Sequence, residues 1–390
     1  MASDIHLDLG DEDGSTADHL ASDVAPSSPM TPKDQSEVFP GVTAHDVAFR
    51  FAPIWYQDTA NNGPDGLGAK GDVPILVDYD GDLKHRNNWD NLPDYDAFPW
   101  LYYSVVATST HYFLSYAHYQ PRDWEQLCTG LFTECHEGDM GSAYVIVRRS
   151  GDGYGQVEAV RTHAHGENSY WWVGGTPSVE EGKASMLGPV DFEDNTGSIS
   201  DVADGQYTHV RLFGQARGHG VVPCTASKKS MQPFGVGNVA CPDGEGTEFP
   251  GEDGLKYIPT TDEPELFTEG QQNVETPRAY ALVSTAHTLW VWRSDIGEDE
   301  MFSVEGIFQY QGSRGAPFFT KDELGYQFAA DQFINDSVSG KPPWSEETEG
   351  ASRGDSLLDP AYAFDQALGF PEPFSLEYTY HPFLQVTEPL

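Results

Sequence analysis

Basic residues are scarce in this chain of 390: 21 Lys and Arg stand against 62 Asp and Glu, a formal net charge of −41. So negative a surface repels phosphate backbones, which excludes charge-driven binding to nucleic acid and to anionic lipid. Long apolar runs are missing as well, and no stretch approaches the ~20 residues of a membrane-spanning helix. The opening MASDIHLDLGDEDGS has neither a basic start nor an apolar core, so the sequence as written carries no secretory signal. Cysteine is limited to 4 residues, with no zinc-motif spacing. GxSxG, P-loop, HExxH and dinucleotide fingerprints are absent. Only 9 of the basic residues are Lys, and the acidic ones are spread along the whole chain. That pattern fits a protein kept soluble in high salt, where carboxylates stay hydrated and self-repulsion is screened. An ordinary acidic secreted protein is the alternative.

What is present is enough for a core: 38% hydrophobic and 13% aromatic residues, more than a disordered chain carries. Residues 1–40, rich in Asp, Ser, Pro and Gly, read as a solvated, disordered acidic arm. A β-sandwich core is expected over 41–310, with 311–390 a C-terminal extension packing on the same domain. Aromatic and β-branched runs at 100–120, 143–149, 155–165 and 209–215 predict strands, separated by turn chemistry such as GDGYG and PGEDG. Thr276-Pro277 predicts a helix start, with Tyr280, Val283, His287 and Trp290 on one face; a buried strand is the competing reading. Asp359-Pro360 opens a short helix that Gly369 stops, and residues 322–335 are a further helix candidate. No internal repeat is evident. The fold class is mainly β: a two-sheet β-sandwich with long loops and a few short helices.

Four clusters could carry chemistry. In PRDWEQLCTGLFTECHEGDMGSAYVIVRR a polar loop bearing Asp123, Glu125, Glu134, His136, Glu137 and Asp139 runs into a strand. Alternation puts Asp139 on the side of Ala143, Val145 and Val147, where an ionised carboxylate needs a compensating cation or Arg. His136, three residues earlier, can reach the same ion. In RTHAHGE, His163 and His165 share a strand face about 7 Å apart, from a rise of roughly 3.4 Å per residue. This is a bidentate metal platform, or a pair of hydrogen-bonded structural histidines. In RGHG, glycines on either side let His219 approach a neighbour or ligand; an exposed turn is the plainer alternative. Asp78-Tyr79-Asp80-Gly81-Asp82 resembles the start of a calcium loop, but Gly81 is fourth rather than sixth and Trp89 stands twelfth, so a solvated acidic turn is expected. The cysteines fall into local pairs, and disulfides Cys128–Cys135 and Cys224–Cys241 are favoured over the other connectivities, with free thiols of a reducing cytoplasm as the alternative.

FAPIWYQD, HEGDMGSAYVIV, THAHGENSYW and RGHG occur in an order that resembles the superfamily of necrosis- and ethylene-inducing-like proteins and vacuolar-protein-sorting-type proteins. The likeness is greatest to uncharacterised bacterial proteins with PRDW, HENDMEG-like, AH and GHG elements, and it spans about residues 48–385. It implies a β-sandwich, an extracellular location to which the paired cysteines also point (a cytoplasmic one remains the alternative), and a divalent cation, with Ca²⁺ or Mg²⁺ favoured over Zn²⁺. By this resemblance the GHRHDWE segment maps its first His to His136, its Asp to Asp139 and its Glu to Gly141, with Asp123 as the upstream carboxylate. Gly141 lacks the expected carboxylate and Gly138 replaces the second His, so Glu134 or Glu137 become additional candidate ligands. The relatives engage sphingolipid sugar headgroups, which makes a glycan or lipid headgroup the expected partner, with Trp124, Tyr170, Trp171 and Trp172 as possible flat faces. Two readings compete with binding. One is a metal-dependent hydrolase of an ester or phosphate, with His163, His165 or His219 as catalytic base. The other is a structural or surface protein in which the His/Asp clusters satisfy one another.

Overall fold

Aromatic and β-branched runs become strands here because both of their faces find cover. The computed structural model describes residues 32–60, 67–124, 136–150, 153–164, 167–172, 186–189, 192–193, 209–225, 239–240, 254–293, 307–310, 312–314, 327–329, 342–346, 350–370 and 375–384. All lie in one unit, Thr31–Leu390. At its centre the strands Trp100–Thr108, His111–Asp123, His136–Ser150 and Gly153–Ala164 form an antiparallel meander. Every residue of Trp100–Thr108 is buried. One face of His111–Asp123 meets the helix Ala44–Arg50, where the Tyr116 hydroxyl donates to the Ala48 carbonyl at 2.6 Å. On the other face Phe113 stacks on Phe364 of the helix Pro360–Leu368, ring centroids 6.0 Å apart.

The sheet does not divide into two. Its hydrogen-bonded path runs Val239–Ala240, Val221–Thr225, His209–Gly214, Ile54–Gln57, Leu255–Pro259, Arg278–Ser284, the meander, Glu167–Trp172 and Met186–Pro189. Phe192–Glu193 and Tyr378–Tyr380 pair alongside, making fourteen strands among the described residues. The expected sandwich has two sheets. The parallel pairing of Arg278–Ser284 with Trp100–Thr108 joins what would have been its halves. The sheet curls instead: the turn after His209–Gly214 reaches the far strands, with the Trp124 amide donating to the Arg217 carbonyl at 3.2 Å.

Several local expectations are settled by the described residues. Residues 278–284 are a strand, followed by 3₁₀ turns Thr285–His287 and Leu289–Trp292; the buried-strand reading holds over the helical one. β-branched and aromatic residues flanked by parallel neighbours outweigh the Thr-Pro start signal there. The helix after Asp359 forms and stops at Gly369 in the left-handed conformation, φ 56°. Of 322–335 only Gln327–Ala329 is described, and it is a strand. Within the expected N-terminal arm, residues 32–40 pack in part on the core, with Gln35, Glu37 and Pro40 left exposed. Asp34 is buried, its amide donates to the Tyr103 hydroxyl at 2.7 Å, and Glu37–Phe39 pairs with Val42–Thr43. Residues 1–31 lie outside the described residues.

Candidate functional site

Two buried polar clusters occupy opposite faces of the meander. His118 stands opposite Gly141 and Gln120 opposite Asp139 in the ladder between His111–Asp123 and His136–Ser150. Alternation therefore puts His118, Gln120 and Asp139 on one face. Asp72, the last residue of the 3₁₀ turn Gly68–Asp72, and His219 of the RGHG turn close over them. His219 is buried between two carboxylates: Nδ1 donates to Asp139 Oδ2 at 3.0 Å and Nε2 to Asp72 Oδ1 at 3.2 Å. Burial alone would lower its pKa; the hydrogen bonds and charges of Asp139 and Asp72 overcome that and raise it to about 9. At neutral pH His219 is an imidazolium with both N–H groups in use. Asp72 is fixed in turn by the amides of Ala60 and Arg217, each donating at 2.8 Å.

The turn that delivers His219 is strained. Arg217 and His219 adopt left-handed backbone, φ 69° and 49°, at a cost of about 1–3 kcal/mol each. Charge-assisted hydrogen bonds of about 1.5–3 kcal/mol offset that cost. The Arg217 guanidinium lies 5.2 Å over the Trp124 ring.

His118 is fully buried, and burial lowers its pKa to about 4, so it is neutral. Its Nδ1 is 2.5 Å from Gln120 Oε1, while Gln120 Nε2 points to the Asp72 carbonyl at 3.5 Å. Because that carbonyl can only accept, the amide is oriented with its oxygen toward His118, which puts the imidazole proton on Nδ1. The lone pair is left on Nε2, which has no hydrogen-bond partner. A Cβ at residue 141 would sit 2.4 Å from that Nε2. His118 fills the space that a side chain at position 141 would take.

Strict alternation would place Asp123 and His136, directly opposite each other, on the face away from Asp139. Gly138, with φ 67°, interrupts the pleat, and His136 Nε2 comes within 3.8 Å of Asp139 Oδ1. The other side of Gly138 is taken by His85, whose Nδ1 would lie 2.2 Å from a Cβ there. His85 is held neutral, its pKa lowered to about 3 by burial and then by His136.

The remaining candidates are dispersed. Glu137 pairs with Arg122 at 3.2 Å. His163 belongs to the opposite face, its Nδ1 3.0 Å from Asn168 Oδ1, beside the buried Arg161–Glu346 ion pair to which Ser142 Oγ also donates, at 2.7 Å. Cys224 is disulfide-bonded. Cys128, Cys135, Cys241, Glu125, Glu134 and His165 lie outside the described residues. Tyr170 and Trp171 are core, not open faces, and Trp124 is buried against Arg217 and Trp89; Trp172 alone of the four is half-buried. The acidic 78–82 turn is half-buried rather than solvated: Asn91 Nδ2 donates to Asp80 at 2.6 Å and Asn87 Nδ2 to Asp82 at 2.8 Å. A groove of about 470 Å³, lined by Leu67, Lys70, Asp96, Leu266, Phe267 and Glu269 among others, shares the 68–72 turn but not the cluster.

Sequence reading missed Asp72, His118, Gln120 and His85. The His-Tyr-Gln alternation in HYQ, opposite Gly141, was the available signal for two of them. Asp72 follows a Gly-Ala-Lys-Gly stretch with no motif.

No family model matches the chain, and no curated protein matches it. The solved structures that it is similar to are members of the necrosis and ethylene-inducing protein family. One is described as a toxin fold for microbial attack and plant defense: 14% identity, 52% of this chain and 75% of that one, TM-score 0.27. The non-toxic HaNLP3 protein matches at 12% identity over 54% and 78%, TM-score 0.27. NLPPya in complex with mannosamine matches at 14% identity over 52% and 78%, also with TM-score 0.27. A likeness at that level places no residue and assigns no ligand here; the chemistry rests on the cluster itself.

Among the described residues no group of three or more His, Cys, Asp or Glu side chains stands ready-made around a metal position. A buried imidazole nitrogen with no hydrogen-bond partner, His118 Nε2, lies on the face that holds the Asp139 carboxylate. His219, with both nitrogens donating, cannot accept a proton near neutrality, so it acts as a cation or an acid there rather than a base.

Proposed function

We propose that the chain is a binding protein with a divalent-cation centre at Asp139, His136 and Asp123, and that a glycan or lipid headgroup is its ligand. The supporting observation is the cluster itself: the buried carboxylates of Asp72 and Asp139 meet at His219, and His136 Nε2 lies 3.8 Å from Asp139 Oδ1. Carboxylate oxygens and imidazole nitrogens are donors of the kind divalent cations take. Residues that hold such a cluster in left-handed backbone accept strain of the kind found at functional sites. The cation would supply a point at which neutral hydroxyl oxygens bind. With a net charge of −41 the surface disfavours anionic ligands, which favours an uncharged glycan or the hydroxyl-bearing part of a headgroup.

The test is thermal melting of wild type and Asp139→Asn in chelator and with Ca²⁺, Mg²⁺, Mn²⁺ or Zn²⁺ added. Ligand linkage predicts about 2.7 kcal/mol of stabilisation at a hundred times Kd. A rise in Tm that the variant lacks supports the site. Equal curves for both proteins under all conditions reject it.

A further inference from the structure

The tight turn between the first two meander strands holds a chain of side chains on the face opposite Asp139. Thr110, at that turn, is half-buried, and His111 beside it is fully buried. His111 Nε2 lies 3.0 Å from Glu158 Oε2, and its Nδ1 lies 2.9 Å from the Thr110 hydroxyl. Arg148 holds the other carboxylate oxygen, donating to Glu158 Oε1 from Nε at 3.1 Å and from Nη2 at 2.8 Å. Burial alone would raise the Glu158 pKa; hydrogen bonds from His111 and Arg148 overcome that and lower it, so the carboxylate is ionised. An ionised carboxylate only accepts, which puts the proton of a neutral imidazole on Nε2. The Nδ1 lone pair is then the acceptor for the Thr110 hydroxyl. The Ser375 amide donates to that hydroxyl oxygen at 2.8 Å. Arg149 brings a guanidinium alongside: its Nη1 donates to the Thr108 carbonyl at 2.5 Å and its amide to the Thr110 carbonyl at 2.9 Å. Hydroxyl, base and orienting carboxylate thus stand in hydrogen-bonded order, the arrangement that activates a weak oxygen nucleophile.

We infer that Thr110, His111 and Glu158 form a nucleophilic triad that cleaves carboxylic esters of small acyl groups. The inference is independent of the cation centre proposed above. Thr110 Oγ1 bonds to the acyl carbon, its proton passes to His111 Nδ1, and the carbonyl π pair moves onto the oxygen, where the Arg149 charge favours it. That pair returns, the ester C–O bond breaks, and the leaving alkoxide departs as alcohol with the proton from Nδ1. Water repeats the two steps on the acyl-threonine, giving the carboxylic acid and the free hydroxyl. Glu158 is a positioning residue: it fixes the tautomer and favours the imidazolium that forms. A hydroxyl hemmed by Ser375 and Arg149 suits a short acyl group, and an alkoxide leaves more readily than an amide nitrogen.

The test uses p-nitrophenyl acetate with the full chain. Nitrophenolate release is followed by absorbance, and acid-quenched protein is mapped by mass spectrometry for acetyl groups. Wild type is expected to carry acetyl on Thr110 and to release nitrophenolate faster than Thr110→Val. His111→Gln should slow acetylation of Thr110 by about a hundredfold, the scale of general-base catalysis. Thr110→Ser, which keeps the hydroxyl, should retain the reaction. Glu158→Gln should slow it and also move its pH midpoint, which a structural role alone would leave in place. Acetyl confined to lysines in wild type, with release no faster than in Thr110→Val, overturns the triad. Acetylation of Thr110 at the wild-type rate in His111→Gln overturns it too. The wild-type acetyl map decides by itself if a variant fails to fold.

Discussion

At the scale of single residues, the cluster works through opposite pKa shifts on neighbouring histidines. His219 is raised to about 9 against burial by its two carboxylates, so its ion pairs stabilise the fold fully below pH 6.5 and are lost as pH rises through 9. Burial lowers His118, His45 and His381 to about 4; their contribution is present above pH 6.5 and is lost as pH falls through 4. Stability should therefore be greatest near pH 6.5, falling on both sides. Melting curves from pH 4 to 10 check this, with His219→Gln flattening the alkaline limb alone. An alkaline limb unchanged in that variant would contradict the assignment. Asp139 was legible from the chain, because alternation puts a carboxylate on an apolar strand face and so demands a partner. Its partner, His219, was visible only as a histidine between glycines. Nothing local says that a turn some 80 residues away closes on the strand.

At the scale of elements, the strands were readable and their partners were not. Near-continuous runs of aromatic and β-branched residues mark Trp100–Thr108 and His111–Asp123 plainly, and Pro360–Leu368 announces itself by Asp-Pro and Gly. The parallel pairing of Arg278–Ser284 with Trp100–Thr108 joins segments far apart in sequence, and it replaced the expected two sheets by one curled sheet. The helix Pro360–Leu368 then covers the face opposite the cluster: Phe364 stacks on Phe113, and its ring centroid lies 5.3 Å from that of Tyr144. Phe364→Ala should cost about 3–5 kcal/mol. Because Asp139, His118 and Gln120 lie on the other face, any cation affinity of the proposed centre should stay within about twofold of wild type in the surviving folded protein. Urea denaturation with parallel calorimetry measures both, and a large loss of affinity would show that the two faces are not independent.

At the scale of the whole molecule, acidity shapes both the ligand and the experiment. Excess negative charge distributed over the whole sequence attracts cations loosely everywhere, and salt screens that attraction over about 8 Å at physiological ionic strength, and less at higher. A buried site with nitrogen and carboxylate donors is screened far less. Bound-metal stoichiometry after gel filtration in high salt separates the two. Protein loaded in turn with Zn²⁺, Mn²⁺, Ca²⁺ and Mg²⁺ should retain about one ion per chain for at least one of them, and Asp139→Asn should retain none. Retention of no ion by wild type, or equal retention by the variant, would contradict a cation centre at the Asp139 cluster.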